Sequence, residues 1–409
     1  MIREQSLNIL LWSKSQYLFL KLKLKKVYLC VLMEFSELGL SEQLLQALKY
    51  EKYERPFPIQ TEAIPAILAG KDVLALAPTG SGKTASYVLP ILEILMQRAY
   101  VKSRNIPVLI LVPTRELAAQ VEASVKVFNV FLKREMQVMA VFGGVSINPQ
   151  MKHLYGTEIL IATPGRLLDL LSKNSMDLSE VRLLVIDEVD KMLNLGFKEE
   201  MDEILAALPS KRQNLLFSAT MEEAVEKLTD KLLQQPVKIE LQQETVTPEL
   251  IAQSAYLVSM EKKGPLLRHL ILEGDWKQVL VFTSSIRAAD NLALKLQKNG
   301  IHAMAFHGDK SQGARTEALK RFKAGDLRVL VATDLAARGI DIEFLPHVVN
   351  YELPRSPKDY IHRIGRTGRA GSEGEAISLI TEEDRHHFKV IQKKMKRWVD
   401  LIDSNNLDF

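Results

Sequence analysis

Three clusters in this sequence combine residue types and spacing that could do chemistry. The first is Ala77-Pro78-Thr79-Gly80-Ser81-Gly82-Lys83-Thr84. Glycines let successive backbone N–H groups close around phosphate oxygens, and a following helix N-terminus adds positive potential. A lysine at this spacing reaches the β and γ phosphates, and the threonine hydroxyl can ligate Mg²⁺. The general pattern opens with glycine where this chain has Ala77. The second cluster is Asp187-Glu188-Val189-Asp190, entered directly from the apolar run Leu183-Leu184-Val185-Ile186. Carboxylates at the C-terminal end of a buried strand lie where open α/β sheets place ligands. There Asp187 would hold Mg²⁺, directly or through water, and Glu188 would orient and deprotonate an attacking water. The third cluster runs from His362 to Arg369 and places Arg363, Arg366 and Arg369 within eight residues. Arginine forks match phosphate oxygens, and such a cluster on a separate lobe could stabilise transition-state charge; a solvated basic face is equally consistent with it.

Alternating elements must position these groups. From about residue 71, short β-branched or leucine-rich runs alternate with longer helical stretches: Asp72 to Ala77, Val108 to Val112, Ile159 to Ala162, Leu183 to Ile186 and Leu215 to Phe217. A second series follows at Val279 to Thr283, Ala303 to Phe306, Val329 to Ala332, Val348 to Asn350 and Ala376 to Ile380. That alternation predicts two α/β domains, each a parallel sheet flanked by helices. The polar stretch Leu241 to Glu249 has neither periodicity and is placed as the linker. The expected organisation is therefore an N-terminal domain over 33–240, a linker over 241–249, a C-terminal domain over 250–390 and a short tail over 391–409. No basic, glycine-rich or low-complexity tail announces an accessory RNA-binding domain.

Composition narrows the class further. With 409 residues, 47% apolar and 25% charged, the chain is ordinary globular material long enough for two domains. The formal charge of +4 is concentrated in residues 1–32, which carry six basic residues against Glu4 alone. The remainder is slightly acidic, so bulk basicity is no evidence for a nucleic-acid partner, and any phosphate-binding surface must be local. Cys30 is the single cysteine, which excludes an intramolecular disulfide and a cysteine-ligated zinc site and fits a cytoplasmic location. The leader 1–32 has no apolar run long enough to span a membrane and the wrong charge order for a secretory signal. It is expected to reflect a mis-assigned start, with translation beginning at Met33.

In order and spacing, these residues resemble the DEAD-box RNA helicases of superfamily 2, from Met33 to about Ile380, as a bacterial-type minimal core. The resemblance implies two tandem RecA-like domains and a cycle in which ATP and RNA close a cleft, one strand is bent, and a few base pairs separate. Tyr53 to Gln60 resembles the Q motif, with Gln60 pairing to the adenine edge and Phe35 stacking on it. Pro113, Thr114, Arg115, the pair Gly143 and Gly144, Thr163 and Arg166 match first-domain motifs that hold the RNA sugar-phosphate backbone. Gln312, Arg315 and Thr333 match second-domain RNA contacts, while Gly339 and Asp341 would lie near the ribose and γ-phosphate. Ser218 and Thr220, through hydroxyl bonds to groups such as Asp190, would couple the ATP site to strand separation, together with His362. Arg366 and Arg369 become the arginine fingers. The implied cofactors are ATP and Mg²⁺, the latter on Thr84 and Asp187. The partner is RNA, read without sequence preference, with no membrane role and with targeting left to possible protein partners.

Three positions depart from the family pattern: Val189 in place of the name-giving alanine, Lys52 in place of the glycine that opens the Q motif, and Glu352 in place of aspartate. Two other functions share parts of this residue set. A DNA helicase or translocase of the same superfamily would share the phosphate loop, acidic pair and arginines, but not the Q motif or Pro113-Thr114-Arg115-Glu116-Leu117-Ala118. A non-hydrolysing, ATP-dependent RNA clamp is disfavoured by the intact set Lys83, Glu188 and Arg366.

Overall fold

The structure is a computed structural model and describes residues 33–78, 80–100, 102–241, 251–337, 345–368 and 374–404. The leader, the linker from residue 242, Thr79, Gly339, Asp341 and Arg369 lie outside the described residues. The chain divides into two compact units, the first drawn largely from residues up to Leu241 and the second largely from those after it.

The first unit is built on seven strands: β1 Val73–Leu76, β2 Val108–Leu111, β3 Val138–Val141, β4 Ile159–Ala162, β5 Leu183–Ile186, β6 Gln213–Ser218 and β7 Val237–Glu240. Every pairing is parallel, in the order β3-β4-β2-β5-β6-β1-β7. β2, β4 and β5 are buried along their whole length because helices cover both faces of the sheet, so their leucine, isoleucine and valine runs never alternate with polar residues. Each such side chain contributes roughly 1.5–3 kcal/mol on leaving water.

The second unit repeats this plan with β8 Ile251–Leu257, β9 Val279–Thr283, β10 Ala303–Phe306, β11 Val329–Thr333, β12 His347–Asn350, β13 Gly374–Ile380 and β14 Leu401–Asp403. All pairings are again parallel, in the order β10-β11-β9-β12-β13-β8-β14. Counted within its own unit, each sheet runs third, fourth, second, fifth, sixth, first, seventh. The expected architecture of two parallel sheets flanked by helices is therefore the observed one.

The structure corrects two expectations. Residues 391–409 do not begin a tail: the last helix runs from Arg385 to Met395, and β14 pairs with β8 through Leu401↔Ala255 to Asp403↔Leu257. Four strands escaped the sequence pattern, namely β3, β7, β8 and β14. Of these, β3, β7 and β14 are sheet edges whose side chains are half-buried or alternately exposed, so no continuous apolar run marks them. No described helix is long and apolar enough to cross a membrane.

Candidate active site

Apart from Phe35 and Gln60, which precede β1, the candidate residues up to Leu241 follow the C-terminal ends of the first sheet's strands, and the strand order sorts them. The glycine-rich loop follows β1, Ser218 ends β6 and Asp187 follows β5; these three strands are neighbours. Thr114 follows β2, Thr163 follows β4 and Gly143 follows β3, and these are neighbours too. The groups assigned to nucleotide and those assigned to RNA thus occupy adjoining stretches of one sheet edge, meeting at β5 and β2.

In the loop after β1, Gly80 and Gly82 hold φ of 79° and 86°, a left-handed conformation that side chains with a Cβ rarely adopt. A Cβ on Gly82 would also lie 2.6 Å from the Gln60 amide nitrogen. Ser81 Oγ donates to the Pro78 carbonyl at 2.8 Å, closing the turn. Lys83 opens the helix Lys83–Met96, is buried, and donates from Nζ to the neutral Ala77 carbonyl at 3.0 Å. A buried ammonium whose bond is to a carbonyl, above a glycine cradle with no Cβ to fill it, fits the phosphates of a nucleotide.

Gln60 is fully buried in the helix Pro58–Leu68. Its Oε1 accepts from Phe57 N at 2.9 Å and its Nε2 donates to Gly82 O at 3.2 Å, which ties the Q-motif segment to the phosphate loop. Phe35, expected to stack on adenine, is instead a core residue at 6% exposure, and its ring meets Tyr53 edge-on at 6.3 Å. Of these two rings it is Tyr53, at 36% exposure, that keeps a face toward solvent. The sequence carried its signal seven residues before Gln60, inside the quoted motif.

Each of the three carboxylates after β5 has its own side-chain holder. Asp187 Oδ2 accepts from Tyr87 Oη at 2.9 Å and its Oδ1 from the Glu188 backbone N–H at 2.9 Å. Glu188 Oε1 is 2.5 Å from Lys191 Nζ, and Asp190 Oδ2 accepts from Thr220 Oγ1 at 3.1 Å. Burial pushes the Asp187 carboxyl above its ordinary range, while the Lys83 charge pulls it down, Glu188 raises it and the Tyr87 bond lowers it. Glu188 Oε2 and Asp190 Oδ1 are buried without a protein hydrogen-bond partner. One carboxylate and the Thr84 hydroxyl fit Mg²⁺, which is commonly bound by one or two carboxylates together with substrate phosphates. Thr220 makes the expected hydroxyl bond to Asp190, whereas Ser218 Oγ turns to the Thr220 carbonyl at 2.8 Å. Tyr87 and Lys191 were missed by sequence reasoning, since an aromatic inside an apolar helix and a lysine after an acidic pair look like core and surface.

Among the backbone-holding candidates, Thr114 Oγ1 accepts from Leu117 N at 3.3 Å, capping the helix Arg115–Asn129 that follows Pro113. Gly144 has φ 74°, and a Cβ there would sit 1.8 Å from an Arg115 guanidinium nitrogen. Glycine is thus required for Arg115 to lie across that turn. Thr163 precedes the helix Pro164–Ser172, and Arg166 within it is buried, donating Nη1 to Gln150 Oε1 at 2.9 Å with Nε 3.5 Å from Asp169.

In the second unit, Gln312 and Arg315 lie one turn apart on the helix Gln312–Lys323, with the buried Arg315 guanidinium 4.8 Å above the Phe306 ring. Thr333 ends β11, and the next residue, Asp334, takes a two-pronged ion pair from Arg363 at 2.5 and 2.7 Å. Arg363 is 2% exposed, also donates to Asn350 Oδ1 and Glu352 O, and lies over the Phe282 ring at 4.9 Å. Of the three clustered arginines it is therefore internal cement. Arg366 is half-buried, and His362 is exposed on the helix Pro357–Ile364.

A parallel sheet bearing a glycine-rich loop and an acidic pair at its strand ends, followed by a second sheet of the same order, defines a class, and comparison with known proteins gives that class its name. Residues 57–228 match the DEAD/DEAH box helicase family, and residues 262–371 match the family described as helicase conserved C-terminal domain. The chain is 38% identical to the ATP-dependent RNA helicase CshA of Listeria monocytogenes over 92% of its own length and 71% of that protein's. It is 39% identical to the DEAD-box ATP-dependent RNA helicase RhpA of Helicobacter pylori, over 90% of this chain and 74% of that one. Among solved structures it resembles S. cerevisiae Dbp5 bound to RNA and ADP BeF3, with a TM-score of 0.77 and 29% identity, covering 91% of this chain and 96% of that one. The chain belongs to the DEAD-box family of ATP-dependent RNA helicases.

Proposed function

We propose that this chain is an RNA-stimulated ATPase that, in its ATP-bound state, clamps single-stranded RNA by its sugar-phosphate backbone and separates short duplexes locally. The observation that carries this reading is the strand order of the first sheet. It puts the phosphate loop, Asp187, Glu188 and Ser218 on one stretch of the edge, and Thr114, Arg115, Gly144 and Thr163 on the stretch beside it. Hydroxyls, glycine-turn amides and helix starts are phosphate ligands without base preference, so the RNA would be held irrespective of sequence.

Lys83 and the loop amides would bind the β and γ phosphates, Tyr53 would offer the base a ring, and Glu188 would orient water. Mg²⁺ held by Thr84 and Asp187 would supply charge neutralisation at the phosphates. Arg366, together with Arg369, would be the source of transition-state arginine charge. The Thr220–Asp190 bond ties the segment after β6 to the helix after β5, the strand of the nucleotide stretch that borders the RNA stretch. The chain would work in the cytoplasm, with any RNA selectivity supplied by protein partners.

The decisive experiment is steady-state ATPase activity of residues 33–409 with no nucleic acid, with single-stranded RNA and with matched DNA. Stimulation by RNA alone is expected. Equal stimulation by DNA would favour a DNA translocase, because RNA preference requires reading the 2′-hydroxyl. No stimulation by either would favour a non-hydrolysing clamp.

A further inference from the structure

Glu188 is held unusually for a residue at a strand end. It adopts the left-handed conformation, φ 54° and ψ 48°, as the cap before the helix Val189–Asn194, and is 6% exposed. That backbone turn sends its carboxylate back beside the helix, where Lys191 Nζ meets Oε1 at 2.5 Å. The Lys191 side chain is 20% exposed, and the Lys191 backbone N–H donates to the Glu188 carbonyl at 3.0 Å, so residue and partner are linked by both main chain and side chain. Oε2 is buried and has no protein partner. The two neighbouring carboxylates are held by neutral hydroxyls, Tyr87 on Asp187 and Thr220 on Asp190; Glu188 is held by a cation.

We infer that Lys191 is a positioning residue for Glu188: by pinning Oε1, it fixes the carboxylate so that Oε2 is the oxygen left to meet the attacking water. This rests on the reading of Glu188 as the water-orienting group. A carboxylate on a glutamate side chain has three rotatable bonds, and in a buried cleft an unpinned one would turn toward whichever donor is nearest. Misplacement of a reacting group by about 1 Å can lower turnover on the order of a hundredfold, so a single ion pair at this point is enough to matter. An ion pair three residues apart on an exposed helix face would have no such consequence; here the carboxylate is buried and is the group assigned to the chemistry.

The test is RNA-stimulated ATPase kinetics on the full chain carrying Lys191→Met, Lys191→Arg, Glu188→Gln, and Glu188→Gln with Lys191→Met. Lys191→Met should lower kcat roughly tenfold or more while leaving KM for ATP and the half-saturating RNA concentration within about twofold, the pattern of a loss confined to the transition state. Lys191→Arg should recover most of the turnover, because the guanidinium can grip the same oxygen. In the Glu188→Gln background the methionine substitution should cost nothing further, since two residues acting through one group are not additive. Unchanged or raised kcat in Lys191→Met, with Glu188→Gln inactive, would overturn the role of Lys191 alone. Failure of arginine to rescue, or KM and kcat moving together, would overturn it as well. Full turnover in Glu188→Gln would instead remove the reading on which it rests, and the two failures are thereby told apart.

Discussion

In each unit the helix that follows the first strand begins with a lysine: Lys83 at the start of Lys83–Met96, and Lys263 at the start of Lys263–Glu273. The sheets have the same order, so the two lysines hold corresponding places. What precedes them differs. Lys83 follows Gly80-Ser81-Gly82 with two left-handed glycines, whereas Lys263 follows Met260-Glu261-Lys262, where the backbone N–H groups of Lys262 and Lys263 are both spent on the Ser259 carbonyl at 3.1 Å. What faces them differs as well. Lys263 is 1% exposed, donates to Tyr351 O at 3.0 Å, and lies 3.6 Å from Asp384 and 5.9 Å above the Tyr351 ring. After β12, in the place held by Glu188 after β5, Glu352 accepts from both the backbone N–H and the hydroxyl of Ser284 at 2.6 and 2.5 Å.

One topology therefore carries two outcomes. At the two corresponding positions of the second unit, Lys263 and Glu352 are taken up by protein groups, and in the first Glu188 Oε2 and Asp190 Oδ1 are left without protein partners. A buried polar atom without a partner costs stability, so its persistence at a strand edge marks chemistry rather than cohesion. The departure of Glu352 from the family's aspartate falls on the cohesive side of this comparison.

The comparison can be broken at three points. The largest effect is expected for Arg363→Ala, which removes a buried guanidinium from the half-buried Asp334 carboxylate, Asn350 and the Glu352 carbonyl and should destabilise the second unit by about 3 kcal/mol. Denaturant unfolding measures it, and a loss no greater than that of a surface arginine would show that the cluster is not internal cement. Next, Lys83→Met and Lys263→Met should dissociate cleanly. The first should lower ATP turnover roughly a hundredfold or more, the scale of losing a preorganised cation at developing charge. The second should leave nucleotide affinity unchanged and cost about 1–3 kcal/mol of stability. Equal loss of nucleotide binding in both would mean that the second edge also binds ligand. The smallest effect is Tyr87→Phe, which frees the Asp187 carboxylate to rotate and should raise the Mg²⁺ concentration needed for half-maximal nucleotide binding roughly tenfold. Binding of a fluorescent nucleotide across a Mg²⁺ titration reads this apart from turnover, and an unchanged midpoint would reduce Tyr87 to packing against Phe217.

How much of this was legible depends on whether the signal is local. The glycine loop, the Asp187-Glu188 pair and the arginine cluster could be read directly, because each depends on backbone conformation and residue type within eight consecutive positions. Central strands such as β2, β4 and β5 could be read for the same reason: burial on both faces demands an unbroken apolar run. Phe35 and Tyr53 could not be ranked, because which of two rings in contact is buried depends on what packs behind them, here Phe128 against Tyr53 at 5.7 Å. Arg363 looked equivalent to Arg366 in the sequence; only its distance to Asp334, twenty-nine residues earlier, separates cement from candidate chemistry.

By itself, then, the sequence determined the elements, the two α/β units and the chemistry of the phosphate loop and acidic pair, since these are set by periodicity and by short-range spacing. Strand order was decided by the tertiary structure alone. Val73 pairs with Leu215 and Val237, residues more than a hundred positions away, through backbone hydrogen bonds that are the same for every side chain. That order, and not any motif, sets the nucleotide residues beside the RNA residues on one edge, and it also brings Tyr87 to Asp187 across one hundred residues of chain.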